Sequence, residues 1–337
     1  MITKKKSGIK LLMITLGALL AVSLISSCAA PGGPATEEKK PIVFGYATWD
    51  TQMFMSKVAG FITEHGYGYE VEYPSATNVA IIKGIERGDI DIHMEIAERS
   101  LKEPLQQLLD SGQGVAAGIS YPGTWQGWLV PTYMIEDGLL PANVSVDDMP
   151  EYWELFKDAE VPTKGRFYSC IPGWQCTKTN ELKMEAYGLD EYYNIFTPGS
   201  DAALSASMFG AYEKHEPWFG YYWSPTWVLS MIDMTPVAEP VFSEDLWTEE
   251  AKYACEYPLD GNVIAAHVSL RDRAPEVMDF LGKYQHPTEE LNDALLYMQE
   301  TEASIEETVI WFLNNYESTW TQWVPSDVTS KVKAALA

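Results

Sequence analysis

Two short segments concentrate aromatic residues in a pattern that suits a binding site. Residues 169–176 read Ser-Cys-Ile-Pro-Gly-Trp-Gln-Cys and carry Trp174, and residues 216–227 carry Trp223 among further Trp, Tyr and Phe residues. Each of these Trp residues follows a predicted strand, where a rigid ring can face a cleft. A quaternary ammonium group spreads its charge and has no hydrogen-bond donor, so the π-face of Trp suits it. The alternative is that these rings pack a core.

Motifs that mark catalysis are absent from the sequence. It contains no Gly-x-Ser-x-Gly, no His-Glu-x-x-His, no phosphate-binding Gly-x-x-x-x-Gly-Lys motif and no dinucleotide-binding glycine pattern after a predicted strand. The carboxylates are so numerous that any pair could be named as acid and base. We therefore predict that the protein is not an enzyme and uses no cofactor. A surface-anchored enzyme without recognised motifs is the alternative.

Candidate metal ligands are scattered along the chain. None of the five His residues has the spacing of a metal ligand, and they stand at His65, His93, His215, His267 and His286. Asp89, Asp91, His93 and Glu95 alternate along a predicted strand with apolar residues. We interpret them as the polar face of that strand, directed toward loops, and predict no metal site.

The first 40 residues have the features of an export leader. Lys4, Lys5 and Lys6 precede a mostly apolar stretch that ends in Ile-Ser-Ser-Cys28, which looks like a bacterial lipobox. We predict a signal peptide at 1–27, lipid modification of Cys28 and a flexible tether at 28–40. An ordinary signal peptide or an uncleaved anchor is the alternative. The remaining chain would work outside the cytoplasmic membrane, attached to it only by the lipid.

Three cysteines remain after the leader. Cys170 and Cys176 have five residues between them, including a Pro-Gly pair that can fold the chain back. An exported protein can keep a disulfide, so we expect these two to pair, with zinc binding as the rival interpretation. Cys255 is then predicted to be a buried free thiol.

The charge of the chain restricts its partners. The sequence holds 48 acidic and 23 basic residues, for a formal net charge of −25. Because nucleic acid requires a basic surface, it is excluded as a partner. Peripheral binding to an anionic membrane is disfavoured for the same reason.

Apolar periodicity predicts the elements that position the aromatic segments. The chain begins with a strand at 42–46, a helix at 52–65 that Asp50 caps, a strand at 69–73, a short helix from 77 that Gly88 ends, and a strand at 90–96. This alternation indicates an α/β fold with a parallel sheet and right-handed crossovers. Further helices are predicted near 180–187, 202–215, 271–284, 289–298 and 304–316, and further strands at 219–223 and 263–268.

The length of 337 residues favours two lobes rather than one core. We predict that lobe I comprises residues 41–128 and 259–337, and that lobe II, inserted between them, comprises residues 129–258. Two crossings between the lobes would make a hinge with a cleft.

The sequence resembles the glycine betaine and proline betaine substrate-binding proteins of ABC importers over nearly all of the chain after the leader. The paired-Cys loop at 170–176 and Tyr-Trp-x-Pro-x-Trp at 222–227 are together the most specific parts of this resemblance. Other matching segments are the first strand with Trp49, Gly-Asp-Ile-Asp-Ile-His-Met-Glu at 88–95, Gly-Trp-Leu at 127–129, Ala-Tyr-Gly-Leu at 186–189 and Ala-Pro-Glu-Val at 274–277.

The resemblance implies a two-lobed fold of the type II periplasmic-binding-protein kind, each lobe a mostly parallel sheet flanked by helices. It implies a monomeric receptor that closes over glycine betaine or a related quaternary amine and delivers it to the permease and ATPase subunits of an importer, as an osmoprotectant. Trp174 and Trp223 would be two walls of an aromatic cage. Backbone N–H groups near Gln175 and Cys176 would hold the ligand's carboxylate, and a Cys170–Cys176 disulfide would fix the loop that presents Trp174.

One segment departs from the family pattern. Family members commonly carry Glu-x-Trp-x-Pro after the third strand, whereas this chain has Ala97 in place of that Trp. Trp49 is our first candidate for a third wall, and Trp125 and Tyr222 are weaker ones.

Glu98 and Arg99 follow directly, and either could point into the cleft. An Arg99 clamp would favour a betaine, and Glu98 would favour a cation without a carboxylate, such as choline. A solvated helix start is the alternative for both residues. A receptor for a different small solute and the ligand domain of a signalling system are the other functions that stay open.

Overall fold

The structure is a computed structural model that describes residues 39–337, except for the side chain of residue 260. The predicted signal peptide, Cys28 and most of the predicted tether lie outside the described residues. In the part of the chain that the structure describes, no helix is long and apolar enough to cross a membrane.

Nine strands are found in the described residues. They are β1 (Ile42–Val43), β2 (Val71–Glu72), β3 (Ile92–Ala97), β4 (Gly114–Pro131), β5 (Gly165–Tyr168), β6 (Tyr193–Phe196), β7 (Gly220–Ser224), β8 (Met234–Pro236) and β9 (Asp260–His267). Seven of them form one sheet in the order β3-β9-β4-β7-β5-β6, with β8 paired to β4. The other two, β1 and β2, pair in parallel, as predicted for the first two strands.

The large sheet is mixed, which corrects the prediction of mostly parallel sheets. Strand β4 is 18 residues long and pairs antiparallel with β9 along its first part and with β7 along its second part. Strand β3 is also antiparallel to β9, while β5 runs parallel to β6 and β7. Alternation along a strand shows which residues share a face but not which way a distant partner runs, so the sequence could not supply the direction. The predicted α/β class is confirmed.

The helices surround these strands. They are α1 (Asp50–Phe61), α2 (Asn78–Arg87), α3 (Lys102–Asp110), α4 (Tyr133–Glu136), α5 (Met149–Tyr152), α6 (Gln175–Ala186), α7 (Asp201–Glu213), α8 (Trp227–Met231), α9 (Leu270–Arg273), α10 (Pro275–Leu281), α11 (Thr288–Thr301), α12 (Ile305–Asn315), α13 (Glu317–Trp320) and α14 (Ser326–Leu336). The single helix predicted at 271–284 is therefore two, divided before Pro275, whose ring cannot continue a helix but suits its first turn.

Local signals explain several helix ends. Gly88 ends α2 with φ of 76°, a conformation that glycine adopts without the steric cost of a side chain. Ser304 and Glu307 form a capping box at the start of α12. Asp50 was predicted to cap α1, but Trp49 occupies the cap position and Asp50 is the first helical residue. Its carboxylate there lies at the positive end of the helix dipole.

Apolar side chains form two buried clusters. One is built mainly from α1, α12 and the elements near them, and it includes Phe54, Phe312 and Tyr121. The other includes Trp128 and Phe219, and helices α2 and α3 pack into it. Strand β4 contributes Tyr121 to the first cluster and Trp128 to the second, so this long strand runs between them. The boundaries of the two lobes stay a prediction.

Strand β3 and the residue before it carry polar side chains inside the protein and not toward loops as predicted: Asp91, His93 and Glu95 are buried, whereas Asp89 is exposed. Asp91 accepts a hydrogen bond of 2.8 Å from the backbone N–H of Val43 and forms an ion pair with Arg273. The Nε2 atom of His93 lies 2.9 Å from Oδ1 of Asn78, and burial lowers the pKa of His93 to about 3. Helices α1 and α2 both pack on β3, so neither face of the strand is left to solvent.

Candidate functional site

A cleft lined by aromatic rings lies where β3, β4, β7 and β9 meet the first turns of α1, α2 and α6. Its empty volume is about 650 Å³, including the part open to solvent. Its aromatic residues are Trp49, Trp174, Tyr221, Trp223 and Tyr257. Its polar residues are Asn78, Glu95, Ser100, Thr124, Gln126, Gln175, Thr179 and Asn262. We call this site the aromatic cleft.

Three Trp residues line the aromatic cleft, and the ring of Trp174 stands nearly perpendicular to each of the other two. The ring centroid of Trp174 lies 5.7 Å from that of Trp49, with 78° between the planes. It lies 5.1 Å from that of Trp223, with 76° between the planes. Edge-to-face contacts of this kind are the favoured arrangement of aromatic pairs, because the positive edge of one ring meets the negative face of the other. The structure thus brings together Trp49, Trp174 and Trp223, all three proposed from the sequence as ligand-binding residues.

The pleat of β7 decides which of its aromatic residues face the aromatic cleft. Tyr221 and Trp223 line it, and the hydroxyl of Tyr221 donates a 2.7 Å hydrogen bond to Oε1 of Gln126. Tyr222, between them, points to the other side of the strand, as period two requires. It lines a smaller crevice together with Asp50 and Asp201. The weaker sequence candidate Tyr222 is therefore a neighbour of the cleft and not part of its lining.

The two carboxylates of this crevice are poorly solvated. Burial, followed by the nearby charge of Asp50, raises the pKa of Asp201 to about 7. Burial also raises the pKa of Asp50. Oδ1 of Asp201 is buried and has no hydrogen-bond partner among the described residues. The crevice therefore favours a protonated carboxyl group near neutral pH.

The loop that presents Trp174 is closed by a disulfide. Cys170 and Cys176 are bonded, with their Cα atoms 5.9 Å apart, so the predicted pairing is confirmed. Gly173 has φ of 90°, a conformation open to glycine but costly for other residues, which lets the loop turn just before the ring. Cys255 is free and buried, as predicted.

Helix α6 begins at the aromatic cleft. Trp174 is its N-cap residue, and Gln175 and Cys176 are its first two helical residues; all three line the cleft. The first N–H groups of a helix have no acceptor within the helix, and the helix dipole makes this end positive. An anionic group of a ligand can therefore be held here by backbone donors without a basic side chain.

Glu95 is among the cleft residues that sequence reasoning did not identify as site residues, and it is the one with an acidic side chain. It is 6% exposed and accepts a 2.8 Å hydrogen bond from the Thr51 hydroxyl and a 2.7 Å hydrogen bond from the Tyr121 hydroxyl. Burial raises the pKa of Glu95, and its hydrogen-bond donors, Trp49 among them, oppose that shift. The sequence signal for a buried Glu95 was its place in the middle of a predicted strand, between apolar residues that were themselves predicted to be buried.

The structure places Glu98 and Arg99 at the surface. Both are exposed, neither lines the aromatic cleft, and the Arg99 guanidinium lies 5.4 Å from the centroid of the Phe242 ring. Strand β3 ends at Ala97 and the chain turns there, which carries the next two residues away from the cleft. Ala97 itself lines the cleft, at the position where the family pattern has a Trp.

A buried ion pair stands behind one wall of the aromatic cleft. Nζ of Lys183 lies 2.5 Å from Oε2 of Glu239 and 4.3 Å from the ring centroid of Tyr257, a residue of the cleft. It also donates a 2.7 Å hydrogen bond to the carbonyl of Cys255. Burial lowers the pKa of Lys183, and the Glu239 carboxylate opposes that shift. This pair supports the wall from behind and does not touch the cleft.

The described residues hold no cluster of metal-ligating side chains. Among them, no group of three or more His, Cys, Asp or Glu side chains is placed to hold a metal ion. Except for Glu95 and two Tyr residues, the described side chains of the aromatic cleft have no ionisable group. A concave site that combines aromatic walls with convergent polar groups is typical of small-molecule binding.

Comparison with known proteins identifies the family. Residues 40–315 match the family of substrate-binding domains of ABC-type glycine betaine transport systems, and the chain belongs to that family. Members of the family are solute-binding receptors and work outside the cytoplasm. The resemblance stated from the sequence is thereby confirmed.

Curated relatives are similar over most of the chain. A trimethylamine N-oxide-binding protein of Pelagibacter ubique is 25% identical over 239 residues, which cover 69% of this chain and 75% of that protein. The glycine betaine-binding periplasmic protein OusX of Dickeya dadantii is 22% identical over 333 residues, which cover 94% of this chain and 97% of that protein.

Solved structures share the fold. Lactococcal OpuAC in its closed, glycine betaine-bound form has a TM-score of 0.68 at 17% identity, covering 85% of this chain and all of that one. An ABC-transporter choline-binding protein in complex with choline has a TM-score of 0.70 at 14% identity, covering 88% of this chain and 98% of that one. The predicted two-lobed type II periplasmic-binding fold is confirmed by this likeness, with the mixed sheet described above.

Proposed function

We propose that this protein is the lipid-anchored receptor of an ABC importer and that it binds glycine betaine or a related trimethylated amine in the aromatic cleft. The observation that carries the proposal is the set of three Trp rings in which Trp174 stands edge-to-face against both Trp49 and Trp223. A quaternary ammonium group bound among these rings would meet the π-electrons of more than one of them. Trp49 then provides the third aromatic wall of the cage, because Ala97 stands where the family pattern has a Trp and has no ring.

The ligand's carboxylate would bind at the start of α6. The N–H groups of Gln175 and Cys176 are available there, at the positive end of the helix dipole. The described side chains of the cleft include no Lys, Arg or His, so this helix end is the best candidate for an anion contact. Arg99 is exposed and outside the cleft lining, so it is not the clamp.

Magnitudes show that the rings must act together with burial. One cation–π contact contributes about 0.5–2 kcal/mol. Micromolar affinity corresponds to about 8 kcal/mol. Removal of the three methyl groups from water, and the carboxylate contact, must supply the remainder.

Choline is the second candidate ligand. The buried Glu95 carboxylate favours a ligand with net positive charge, whereas a betaine brings a negative group that must point away from Glu95. The choline-binding structural neighbour shows only that the fold is compatible with this class of ligand.

The receptor would act as a monomer with two lobes. Lobe I would comprise residues 41–128 and 259–337 and lobe II residues 129–258, with closure of the cleft presenting the loaded protein to the permease and its ATPase subunits. Uptake of such a solute would serve osmoprotection. Cys28 would carry the lipid, and Cys28→Ala should move the protein from the membrane fraction to the soluble fraction.

Titration of the purified protein tests the ligand. We would follow Trp fluorescence and heat of binding with glycine betaine, proline betaine, choline, carnitine and trimethylamine N-oxide. A saturable response at one site to at least one of them, without turnover, is expected. A folded protein that responds to none of the five would refute the proposal, and appearance of a product would indicate an enzyme.

A further inference from the structure

Glu95 is a buried carboxylate without a basic partner. Its two oxygens accept hydrogen bonds from the hydroxyl groups of Tyr121 and Thr51, and the side chain of Trp49 donates a third. All three donors are neutral, and no Lys, Arg or His is found among the described residues of the aromatic cleft. A buried carboxylate normally has a cationic partner, because desolvation of an unpaired charge is costly.

The donors around Glu95 are themselves held in place. Oγ1 of Thr124 lies 3.2 Å from the Tyr121 hydroxyl, and Asn262 is hydrogen-bonded to Thr124. Thr124, Asn262 and Glu95 all line the aromatic cleft. This chain of hydrogen bonds directs positive hydrogen atoms at the carboxylate, which stabilises its ionised form. Burial still raises the pKa of Glu95, so the ionised carboxylate is costly to keep in the cleft without a cation beside it.

We propose that Glu95 is the counter-charge of the binding site: the positive headgroup of the ligand supplies the cation that this buried carboxylate lacks. Through its hydrogen bond to Trp49, Glu95 also positions one ring of the aromatic cleft. The inference rests on the proposed function and specifies which properties of the ligand the site recognises. The site recognises positive charge as well as the shape of a trimethylated group.

A pair of ligands separates recognition of charge from recognition of shape. Choline and its uncharged carbon isostere, in which a quaternary carbon replaces the nitrogen, have nearly the same volume and the same hydroxyl group. Their affinities would be measured calorimetrically with the wild-type protein and with Glu95→Gln, which removes the charge and keeps the size of the side chain. Glu95→Asp keeps the charge and serves as the matched control.

The expected result is a loss that depends on the ligand's charge. Glu95→Gln should weaken choline binding by on the order of 30-fold or more, because a charge pair across a partly desolvated site is lost. It should leave affinity for the carbon isostere unchanged or raise it, so the preference of the wild-type protein for choline should collapse. Glu95→Asp should keep that preference even if both affinities fall.

Other outcomes overturn the inference in distinguishable ways. If Glu95→Gln binds choline as tightly as the wild-type protein, Glu95 is not the counter-charge. If both ligands weaken equally in Glu95→Gln and in Glu95→Asp, the role of Glu95 is structural. If the wild-type protein binds none of glycine betaine, proline betaine, choline, carnitine and trimethylamine N-oxide, the proposed function fails first and this inference fails with it.

Discussion

The indole ring of Trp174 stands edge-to-face against that of Trp223, with 5.1 Å between the ring centroids. One ring comes from a disulfide-closed loop before a helix and the other from a central strand, so the contact depends on two separate elements. Because the rings meet at 76°, their faces point in different directions and can enclose a compact group. Four predictions follow from this site and from the residues that support it.

Loss of either Trp ring should weaken ligand binding. We expect Trp174→Ala and Trp223→Ala each to lower affinity for the best ligand by about tenfold or more, because each removes a cation–π face and apolar contact area. The matched control is Trp311→Ala on α12, where the ring stacks on Tyr297, away from the aromatic cleft. Calorimetric titration of the three variants tests this. Equal losses in all three would contradict a role specific to the cleft rings.

Removal of the disulfide should affect binding more than stability. The Cys170–Cys176 bond closes a short loop, which restricts few conformations of the unfolded chain and contributes roughly 2 kcal/mol. We expect Cys170→Ala/Cys176→Ala to lower Tm by a few degrees but to reduce ligand affinity by at least about tenfold, because the loop no longer holds Trp174. Cys255→Ala serves as the control. Unchanged affinity in the double variant would show that packing alone positions the ring.

The buried ion pair should tolerate loss of both partners better than loss of one. Lys183→Met leaves the Glu239 carboxylate buried without a cation, and we expect a loss of about 3–5 kcal/mol in the free energy of unfolding. Adding Glu239→Gln to Lys183→Met should recover part of the lost free energy of unfolding, because the unpaired buried charge is then removed. Lys178→Met breaks an exposed pair with Glu249 and should change little. Chemical denaturation measures the free energy of unfolding of these variants and of Glu239→Gln alone. If the loss in the double variant equals the sum of the losses in the two single variants, the two residues do not interact.

Asp201 should make stability depend on pH. Its pKa is raised to about 7 by burial and by Asp50, from 3.8 for an ordinary Asp. The folded state therefore holds the proton more tightly, so this contribution to stability is fully present below about pH 4 and is lost as pH rises through 7. Asp201→Asn has no titratable group at this position, so this pH-dependent contribution is absent from the variant. We expect its Tm to exceed that of the wild-type protein at pH 8, by a difference that shrinks toward pH 4.

The control for this prediction is Asp190→Asn, which changes an exposed carboxylate outside the crevice. Its Tm should follow that of the wild-type protein at every pH. A Tm difference for Asp201→Asn that is the same at pH 4 and pH 8 would mean that the side chain's shape matters and its titration does not.

Much of the local structure was predictable from the sequence. Helix α2 ends at Gly88 as predicted, because glycine marks a left-handed helix end. The strand that carries Trp223 and the helix near 202–215 were also predicted. These features depend on interactions between residues that are neighbours along the chain, so their signal is contained in short stretches of sequence.

Other features depended on contacts between distant residues. The polar residues of β3 were predicted to face loops, but the packing of α1 and α2 on that strand buries them. Glu95 gained its role because Thr51, Tyr121 and Trp49 converge on it from other elements. Glu98 and Arg99 were expected near the ligand, but the chain turns at the end of β3 and takes them to the surface.

The sequence by itself determined the α/β class, the family, the disulfide and the identity of three Trp residues, because each of these is expressed in residue types and short spacings. The tertiary structure decided the direction of the strands, the side of β7 that faces the cleft and the meeting of Trp49 with Trp174. It also decided which carboxylate stands inside the cleft. Those outcomes are set by how elements far apart in the chain pack together, and burial then changes the chemistry of the side chains that they enclose.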